Sequence, residues 1–456
     1  MIGTIQTIKE IIERIKHVPG LAAQLPDTAD IVDGVALDSL EMLRFMLELE
    51  EQLSIQIDFD KLEYSYFHSI RTLVEFLETM PPRHPPCDSA VNRHDSVVTI
   101  LTSGIGLGVY IPALLIQRQL RRLHCEAEVE VLEDYYTPER QQGHLNHKKA
   151  HHENFALAQI AHRMTRDVQE CLDAERIQAL IQRWAEERRE NFVVWSGFWL
   201  PIVERYRRLI GSRHLNVDHC RIDAEISASF RIFPGLQANA NVIWLWNGED
   251  QRIIHEISVT GTAPVPFAGR ENRLVLHGGG WGIGTYNSKA LELEHTPYSL
   301  DIVIQDLSEA RQGRPGDRYF MVDPAWHPWI RNAEGGHDFP PTGEVTDPRD
   351  INYKRNLDFH ELHNVIRRSK AIVSKPGGCT LIDSLSSGTP VVFLEPYGYA
   401  EKSNAKIWEH LGYGISWPAW RETGYDVSVL ENLHSNIMAR ARRGTDYPRA
   451  YVERLS

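Results

Sequence analysis

Ser39 stands in the stretch DGVALDSLEMLRFMLELEEQL, residues 33–53, which is rich in acidic and apolar side chains. No histidine or lysine lies close to it in sequence, so it lacks the neighbouring base that a hydrolase nucleophile needs. Asp38 and Glu41 have the spacing of a capping box, which predicts a helix that begins at Asp38 and carries Ser39 in its first turn. The positive end of the helix dipole favours a phosphate attached to such a serine. The pattern indicates an attachment point; the alternative is an unmodified, exposed cap serine in a small helical domain.

Two glycine-rich turns follow apolar segments, TSGIGLGVY at 102–110 and HGGGWGIGTY at 277–286. Glycine lets backbone amides approach a phosphate closely, and the start of the following helix favours the phosphate charge. The same turns also occur as tight strand–helix connections without a ligand. Neither has the G-x-G-x-x-G register, so a nicotinamide-dependent dehydrogenase fits poorly. The candidate phosphate-binding residues of these turns are Gly104, Gly106, Gly108, Gly279 and Gly280.

The segment GHLNHKKAHHENFALAQIAHRM at 143–164 is rich in histidine and predicts a helix on which His144, His147 and His151 share a face. This helix offers a general base for an acceptor hydroxyl, a basic surface for an acidic partner, or only a solvated polar face. Among its residues we favour His152 as the base. We expect no metal site, because the H-E-x-x-H spacing is absent and the five cysteines form no C-x-x-C pair.

Charge divides the chain of 456 residues into an acidic first segment and a nearly balanced remainder. Residues 1–80 carry fifteen Asp and Glu against six Lys and Arg, which is −9 of the total net charge of −13. This segment is expected to bind basic partners, and nucleic acid is not expected because acidic groups repel phosphate. No apolar run is long enough for a transmembrane segment, and the scattered cysteines are typical of a reducing, cytoplasmic setting.

The order of strand and helix patterns predicts several domains. Four prolines in MPPRHPPCDSAVNRHDS indicate a polar linker. After the linker, apolar strands alternate with amphipathic helices, and the same alternation begins again near residue 272, which is typical of parallel α/β sheets. We therefore expect a multidomain chain. Its parts are a small all-α helical bundle at 1–80, a linker at 81–96, and Rossmann-like α/β domains at 97–262 and 263–456.

The motif LDSLEML at 37–43, within this acidic helical segment, resembles an acyl carrier protein. In that family the serine of the DSL motif carries covalent 4′-phosphopantetheine, and Ser39 is the matching position. The resemblance implies three kinds of partner: a phosphopantetheinyl transferase, acyl-loading enzymes, and an acyl or aminoacyl group on the arm. The DG pair at 33–34 departs from the LG or GG that many carriers have upstream, so the subfamily stays open.

The segment SKPGGCTLIDSLSSGTPVVFLEPYGYAEKSNAKIWEHLGYG at 374–414 resembles the donor-binding motif of GT-B glycosyltransferases. The nearest groups are the UDP-glycosyltransferases and the enzymes that make peptidoglycan precursors and plant galactolipids. PGGCT, SSGTPVV and NAKIWEHLG keep the order of the family motif. Carried over position by position, the resemblance implies that Gly377, Gly378 and Thr380 contact the donor diphosphate.

Two further positions follow from the same resemblance, and a third departs from it. Asp383 matches an acidic residue that holds the ribose hydroxyls, and Glu401 matches a residue near the sugar. Because this chain reads AEKSN around Glu401, the identity of the sugar cannot be carried over. Related enzymes often end the first glycine turn with a histidine base, whereas this chain has Val109 and Tyr110.

These patterns together predict a carrier domain fused to a GT-B glycosyltransferase of the hexosyltransferase type. It would move a sugar from a nucleotide sugar, most simply a UDP-sugar, to an acceptor that its own carrier can hold as a thioester, in secondary-metabolite or lipid-like biosynthesis. Two alternatives stay open. A sugar-nucleotide epimerase shares the GT-B architecture and needs no acceptor. A non-catalytic scaffold would only dock the partner enzymes of the carrier. The presence of Val109 and Tyr110 where related enzymes have a histidine is the feature that supports this alternative.

Overall fold

The computed structural model describes residues 2–16, 18–32, 34–37, 39–53, 64–77, 97–211, 214–310, 314–440 and 444–455. The chain divides into two compact units, Met1–Arg93 and His94–Ser456. The predicted linker at 81–96 lies outside the described residues, and the domain boundaries stay predictions. Among the residues described, no helix has both the length and the apolar character to cross a membrane.

The first unit is a small group of helices. They are α1 (Ile2–Lys16), α2 (Leu21–Gln24), α3 (Ser39–Leu53) and α4 (Ile70–Leu77), with a 3₁₀ turn at Tyr64–His68. Apolar residues at helical spacing place one face of each long helix in a common core, where Ile8, Ile12 and Phe45 are fully buried. The helix predicted around Ser39 is therefore present, and it begins at Ser39 itself.

The first sheet of the second unit is parallel and has the strand order β2-β1-β3-β4-β5. Its strands are β1 (Val98–Thr102), β2 (Ala127–Val131), β3 (Asn191–Val194), β4 (Asn216–Arg221) and β5 (Asn241–Trp244). The helices around it are α5 (Tyr110–Arg122), α6 (Pro138–Glu153), α7 (Phe155–Arg163), α8 (Ala174–Glu186), α9 (Leu200–Ile210) and α10 (Ala228–Arg231). Helices cover both faces, so a strand such as β1 is an unbroken run of buried residues, VTILT.

The second sheet has seven strands in the order β12-β11-β10-β9-β13-β14-β15. Short strands β6 (Trp246–Asn247), β7 (Arg252–Ile253) and β8 (His255–Glu256) precede it. Its own strands are β9 (Arg273–His277), β10 (Ser299–Ile304), β11 (Arg318–Val322), the antiparallel edge strand β12 (Thr342–Glu344), β13 (Ala371–Ser374), β14 (Val391–Phe393) and β15 (Gly414–Ser416). Its helices are α11 (Tyr286–Glu292), α12 (Leu362–Ile366), α13 (Gly378–Ser387), α14 (Tyr399–Leu411), α15 (Trp417–Glu422) and α16 (Val427–Met438).

The end of the chain returns to the first sheet. A short strand, β16 (Thr445–Asp446), pairs with β8, and helix α17 (Tyr447–Leu455) follows it. The Tyr447 hydroxyl donates to Asp218 Oδ2 of β4 at 2.9 Å, and Arg454 forms an ion pair with the same carboxylate. The last helix therefore packs with the first Rossmann-like sheet, although it falls within the range predicted for the second domain.

Each sheet has one point at which the strand order reverses, which we call its switch point. In the first sheet it lies between β1 and β3, and in the second between β9 and β13. Ligands of open parallel sheets bind at the carboxyl ends of the strands beside such a point. The predicted fold class is confirmed, with a helical carrier-like unit followed by two Rossmann-like sheets, and its glycine turns follow switch-point strands.

Candidate functional site

The glycine turns after β1 and β9 contact each other between the two sheets. The Gly280 amide donates to the Gly106 carbonyl at 3.2 Å. A Cβ on Gly280 would lie only 2.4 Å from Leu107 Cγ, so the close approach requires glycine at this position. The contact brings the two switch points to one cleft.

Lys375 lies between the turn after β9 and the turn after β13. Cβ atoms built on Gly279 and Gly377 would lie 3.9 and 3.3 Å from its Nζ. Lys375 forms an ion pair with Glu401 Oε1, and Glu401 Oε2 accepts from the Tyr397 amide at 2.6 Å. A largely buried cation thus stands where two glycine turns converge, and this combination suits an anion such as a diphosphate.

The start of α13 lies beside Lys375, and a residue at the end of a strand of the first sheet packs directly against it. A Cβ on Gly378 would lie 2.5 Å from Ile222 Cγ1, just beyond β4. Asp223 accepts from Asn404 Nδ2 at 2.8 Å, and the Gly378 amide also bonds to its carboxylate. Burial raises the pKa of Asp223 to about 6. Thr380, in the first turn of the same helix, is buried.

The turn after β1 already holds an anion of the protein. Glu133 Oε1 accepts from the Ser103 hydroxyl at 2.6 Å, and Glu133 Oε2 accepts from the Gly104 amide at 2.7 Å. Glu133 is fully buried, and this burial raises the pKa of its carboxyl. The Gly104 amide is therefore engaged by a carboxylate, and its predicted contact with a phosphate is untested. Gly108 lies in the same turn in open space.

His152 connects α6 to the glycine turn after β9. Its Nδ1 lies 2.8 Å from the Gly282 carbonyl and its Nε2 lies 3.1 Å from Glu309 Oε1. The hydrogen bond to Glu309 is the main cause that raises the pKa of His152. Both partners only accept hydrogen bonds, so the ring is best satisfied as a cation and has no free lone pair. The prediction that His152 is the base is untested; in this structure both of its ring nitrogens are engaged, and the residue joins α6 to the second sheet.

The predicted histidine face of α6 packs on the turn after β9. His144 is buried, with ring centroids 5.1 Å from Trp281 and 5.4 Å from Trp329. Burial lowers the pKa of His144 to about 4. The His151 ring also contacts Trp281, with centroids 5.8 Å apart. This side of the helix is thus not a freely solvated face.

A basic pocket of about 590 Å³ lies in the second unit where α7 and α10 face the start of α14. Its lining includes His162, Arg163, Arg231, Tyr397 and Lys402. Among the described residues, Arg163, Arg231 and Lys402 have no recorded side-chain partner, so their charges are available to a ligand. Burial is the main cause that lowers the pKa of His162, which keeps its imidazole neutral at neutral pH. The histidine-rich segment at 143–164 contains His162, although its sequence led us to favour His152 as the base.

Asp383 is buried and engaged by two imidazoles. Its Oδ1 accepts from His360 Nε2 at 2.9 Å and from His363 Nδ1 at 3.2 Å. The histidines are the favourable partners that hold the pKa of Asp383 well below its usual range. Its predicted contact with ribose hydroxyls is untested. In this structure Oδ1 already accepts hydrogen bonds from both histidines.

In the first unit, α3 begins at Ser39 and places this residue at the positive end of a helix of 15 residues. The Ser39 side chain is not among those described. Part of the acidic surface of α3 is neutralised by α1, because Glu41 pairs with Lys16 at 2.7 Å and Glu48 pairs with Arg14 at 3.0 Å.

Comparison with known families assigns the first unit. The family model described as "Phosphopantetheine attachment site" matches residues 6–77. This match confirms the resemblance to a carrier domain for that segment and supports covalent phosphopantetheine there. No curated protein matches the chain.

Solved structures of similar arrangement include MurG of Acinetobacter baumannii, at 12% identity and a TM-score of 0.46, covering 79% of this chain and 99% of that one. The glycosyltransferase VinC in complex with dTDP is 9% identical, with a TM-score of 0.45 and coverage of 78% and 98%. SnogD of Streptomyces nogalater, also a glycosyltransferase, is 11% identical, with a TM-score of 0.43 and coverage of 79% and 99%. All three TM-scores lie below 0.5, so the fold assignment rests on the strand order of the two sheets.

Proposed function

We propose that the second unit transfers a sugar, of the hexose class, from a nucleoside diphosphate sugar to an acceptor. The observation that carries this proposal is the convergence of two glycine turns, after β9 and after β13, on Lys375 at the switch point of the second sheet. Lys375 and the amides of Cys379 and Thr380, in the first turn of α13, would hold the diphosphate, which leaves the sugar directed toward the cleft. Glu401, bonded to Lys375, fixes the position of that cation.

The adjacent basic pocket would take the acceptor, and His162 would serve as the base. The acceptor hydroxyl attacks the anomeric carbon while the bond from that carbon to the diphosphate oxygen breaks. The hydroxyl proton passes to neutral His162, and the negative charge that develops on the diphosphate is stabilised by Lys375 and the backbone amides of α13. His162 suits this role because it lines the pocket and its pKa is lowered by burial.

We further propose that the acceptor is an acyl or aminoacyl group carried as a thioester on phosphopantetheine at Ser39. The match of residues 6–77 and the start of α3 at Ser39 support this attachment. A tethered acceptor reaches an effective concentration on the order of millimolar, which favours transfer to the carrier of the same chain over a free thiol ester.

The test loads the full chain with a hydroxyacyl-phosphopantetheine, adds UDP- and dTDP-hexoses one at a time, and measures intact mass with fragmentation of the Ser39 peptide. We expect one hexose to be added to the arm in the wild type and in Ser65→Ala, an exposed serine of the same unit, but not in Ser39→Ala. Equal use of a free acceptor by Ser39→Ala would contradict the tethered acceptor.

Two other outcomes would contradict sugar transfer itself. Interconversion of two nucleotide sugars without an acceptor would identify an epimerase. Binding of the nucleotide without any turnover, for every loaded acyl group, would identify a scaffold.

His162→Gln tests the base. We expect turnover to fall about 100-fold with nucleotide affinity unchanged, and His410→Gln, an exposed residue of α14, to behave as the wild type. Because the neutral ring is the base, wild-type turnover falls as the pH drops below the ordinary histidine pKa, and the variant loses this acid limb. An unchanged acid limb in His162→Gln would assign the proton transfer to another group.

A further inference from the structure

Three buried side chains with metal-ligating atoms meet behind the start of α13. His360 precedes α12, His363 lies within it, and Asp383 lies on α13; they are 6%, 1% and 3% exposed. One ligand atom from each lies within 4.8 Å of the other two. Among the residues that the structure describes, this is the group of three such side chains that fits a metal ion.

The distances in this cluster are close to those of a metal site. Zn²⁺ binds imidazole nitrogen and carboxylate oxygen at about 2.0–2.2 Å, so neighbouring ligand atoms in a tetrahedral site lie about 3.3–3.5 Å apart. The two imidazole nitrogens lie 2.9 and 3.2 Å from Asp383 Oδ1. An ion would require the three groups to separate by only a few tenths of an ångström.

His277, at the end of β9, provides a second observation. Its Nδ1 accepts from the Gly279 amide at 3.1 Å, whereas its Nε2 is buried and has no hydrogen-bond partner in the described residues. Asp383 and His360 both influence the pKa of His277, so this ring lies near the cluster. An unpartnered, buried imidazole nitrogen is unusual, and it offers a further donor beside a site with three protein ligands.

We propose that His360 Nε2, His363 Nδ1 and Asp383 Oδ1 bind one divalent first-row transition-metal ion, of which Zn²⁺ is the simplest case. Two imidazoles and one carboxylate form a donor set that such ions favour. In the metal-free protein both nitrogens carry a hydrogen that is donated to Asp383. When the ion binds, each ring shifts that hydrogen to its other nitrogen and coordinates through the freed lone pair.

The proposed ion would join α12 to α13 and so fix the turn that precedes α13. Asp383 lies five residues after Gly378, which is about 7.5 Å along the helix. The ion is therefore a positioning element and does not contact the diphosphate. It would also withdraw Asp383 from a ribose contact. Metal binding does not depend on the proposed sugar transfer, so either can fail without the other.

The sequence prediction of no metal site rested on the absence of H-E-x-x-H and of paired cysteines. The overlooked signal is the H-x-x-H spacing of His360 and His363, followed by an aspartate twenty positions after His363. That spacing is common in solvated helices, and only the fold brings the aspartate to it.

The test strips the purified full chain with a chelator and titrates it with Co²⁺ and then Zn²⁺, with visible absorption and elemental analysis as readouts. We expect one ion per chain and the intense visible bands of tetrahedral Co²⁺. Asp383→Asn and His363→Asn should bind at least about 100-fold more weakly, because loss of a direct ligand exceeds the loss caused by an outer partner. His434→Asn, a buried histidine whose Nδ1 lies 2.7 Å from the Gly388 carbonyl oxygen, should bind as the wild type.

The wild-type titration decides the proposal even if a variant does not fold. Absence of a stoichiometric ion in the wild type would overturn it, as would equal affinity in the wild type and in a folded Asp383→Asn protein. Zn²⁺ should also raise the unfolding temperature of the wild type and of His434→Asn, but not of Asp383→Asn.

Discussion

The glycine turns of the two sheets occupy equivalent places beside their switch points but differ in charge. The turn after β1 encloses a carboxylate of the protein, Glu133, on its own amide. The turns after β9 and β13 instead flank a cation, Lys375. Asp223 and Glu401 also place carboxylates at the second switch point, so the difference is the cation that stands between its two glycine turns. We expect this cation to favour a diphosphate at the second sheet. Glycine in a strand–helix turn is therefore not sufficient to identify a phosphate site.

The contact between the two turns is the most sensitive feature of this comparison. Gly280→Ala would place a Cβ 2.4 Å from Leu107 Cγ and 2.7 Å from the Gly106 carbonyl oxygen, forcing the turns apart. We expect sugar transfer to fall about 100-fold, since misplacement by 1 Å has effects of this size. Gly108→Ala is the matched control and should be nearly silent, because no atom lies within 4 Å of the new Cβ and its φ of −60° suits alanine. Equal losses of activity in both variants would show that the turns require glycine for backbone flexibility and not for the close contact between them.

Removal of the cation should have the next largest effect. Lys375→Met should weaken the binding of UDP or dTDP about 10- to 100-fold, the range for hydrogen bonds to a charged group. Glu401 would then be buried without its partner, so Lys375→Met/Glu401→Gln should recover stability but not affinity. Lys406→Met, an exposed lysine on α14, controls for net charge in the calorimetric titration. Wild-type affinity in the double variant would place the diphosphate elsewhere.

The two switch points should respond to pH in opposite directions. Burial lowers the pKa of His277 to about 4, so between pH 4 and 6.5 the unfolded chain binds a proton there that the folded chain does not. The free energy of unfolding is therefore not reduced by His277 above pH 6.5. Between pH 6.5 and 4 it falls by about 1.4 kcal/mol for each pH unit of acidification. The pKa of Glu133 is raised, so its contribution is largest below its usual pKa and declines as the pH rises above 4.5.

Denaturant unfolding at several pH values measures these opposite slopes. His277→Asn should flatten the rise of stability with pH, and Glu133→Gln should steepen it. His410→Asn should leave the slope unchanged. A steeper slope in His277→Asn would show that this ring is charged in the folded protein.

Glu133→Gln should have the smallest effect on the ligand. Because Glu133 already occupies the Gly104 amide, the variant should bind UDP and dTDP within about twofold of the wild type, while losing stability of about 1–3 kcal/mol from the altered buried hydrogen bonds. Calorimetric titration and denaturant unfolding measure the two quantities. A large change in nucleotide affinity would show that the first switch point takes part in binding.

The sequence was sufficient to predict the elements with strong local patterns. The helix at Ser39 and the strand–turn–helix order of both sheets follow from spacing within short segments. These predictions concern neighbours in the chain, where apolar periodicity and turn residues carry the information.

The remaining features depend on contacts between distant segments. His152 meets a carbonyl 130 residues away, and Asp383 meets histidines that lie 20 and 23 residues before it. Nothing in the sequence around His152 and His162 distinguishes the ring with two acceptors from the ring in the pocket. The charge of Lys375 was likewise visible, but its place between two turns was not.

A crystal structure of the full chain with a bound UDP-hexose tests the central claim most directly. We predict that the diphosphate oxygens lie within hydrogen-bond distance of Lys375 Nζ and of the backbone amides at the start of α13, with the sugar toward His162. A diphosphate on the turn of Gly104 and Gly108, or at any site away from Lys375, would contradict the account.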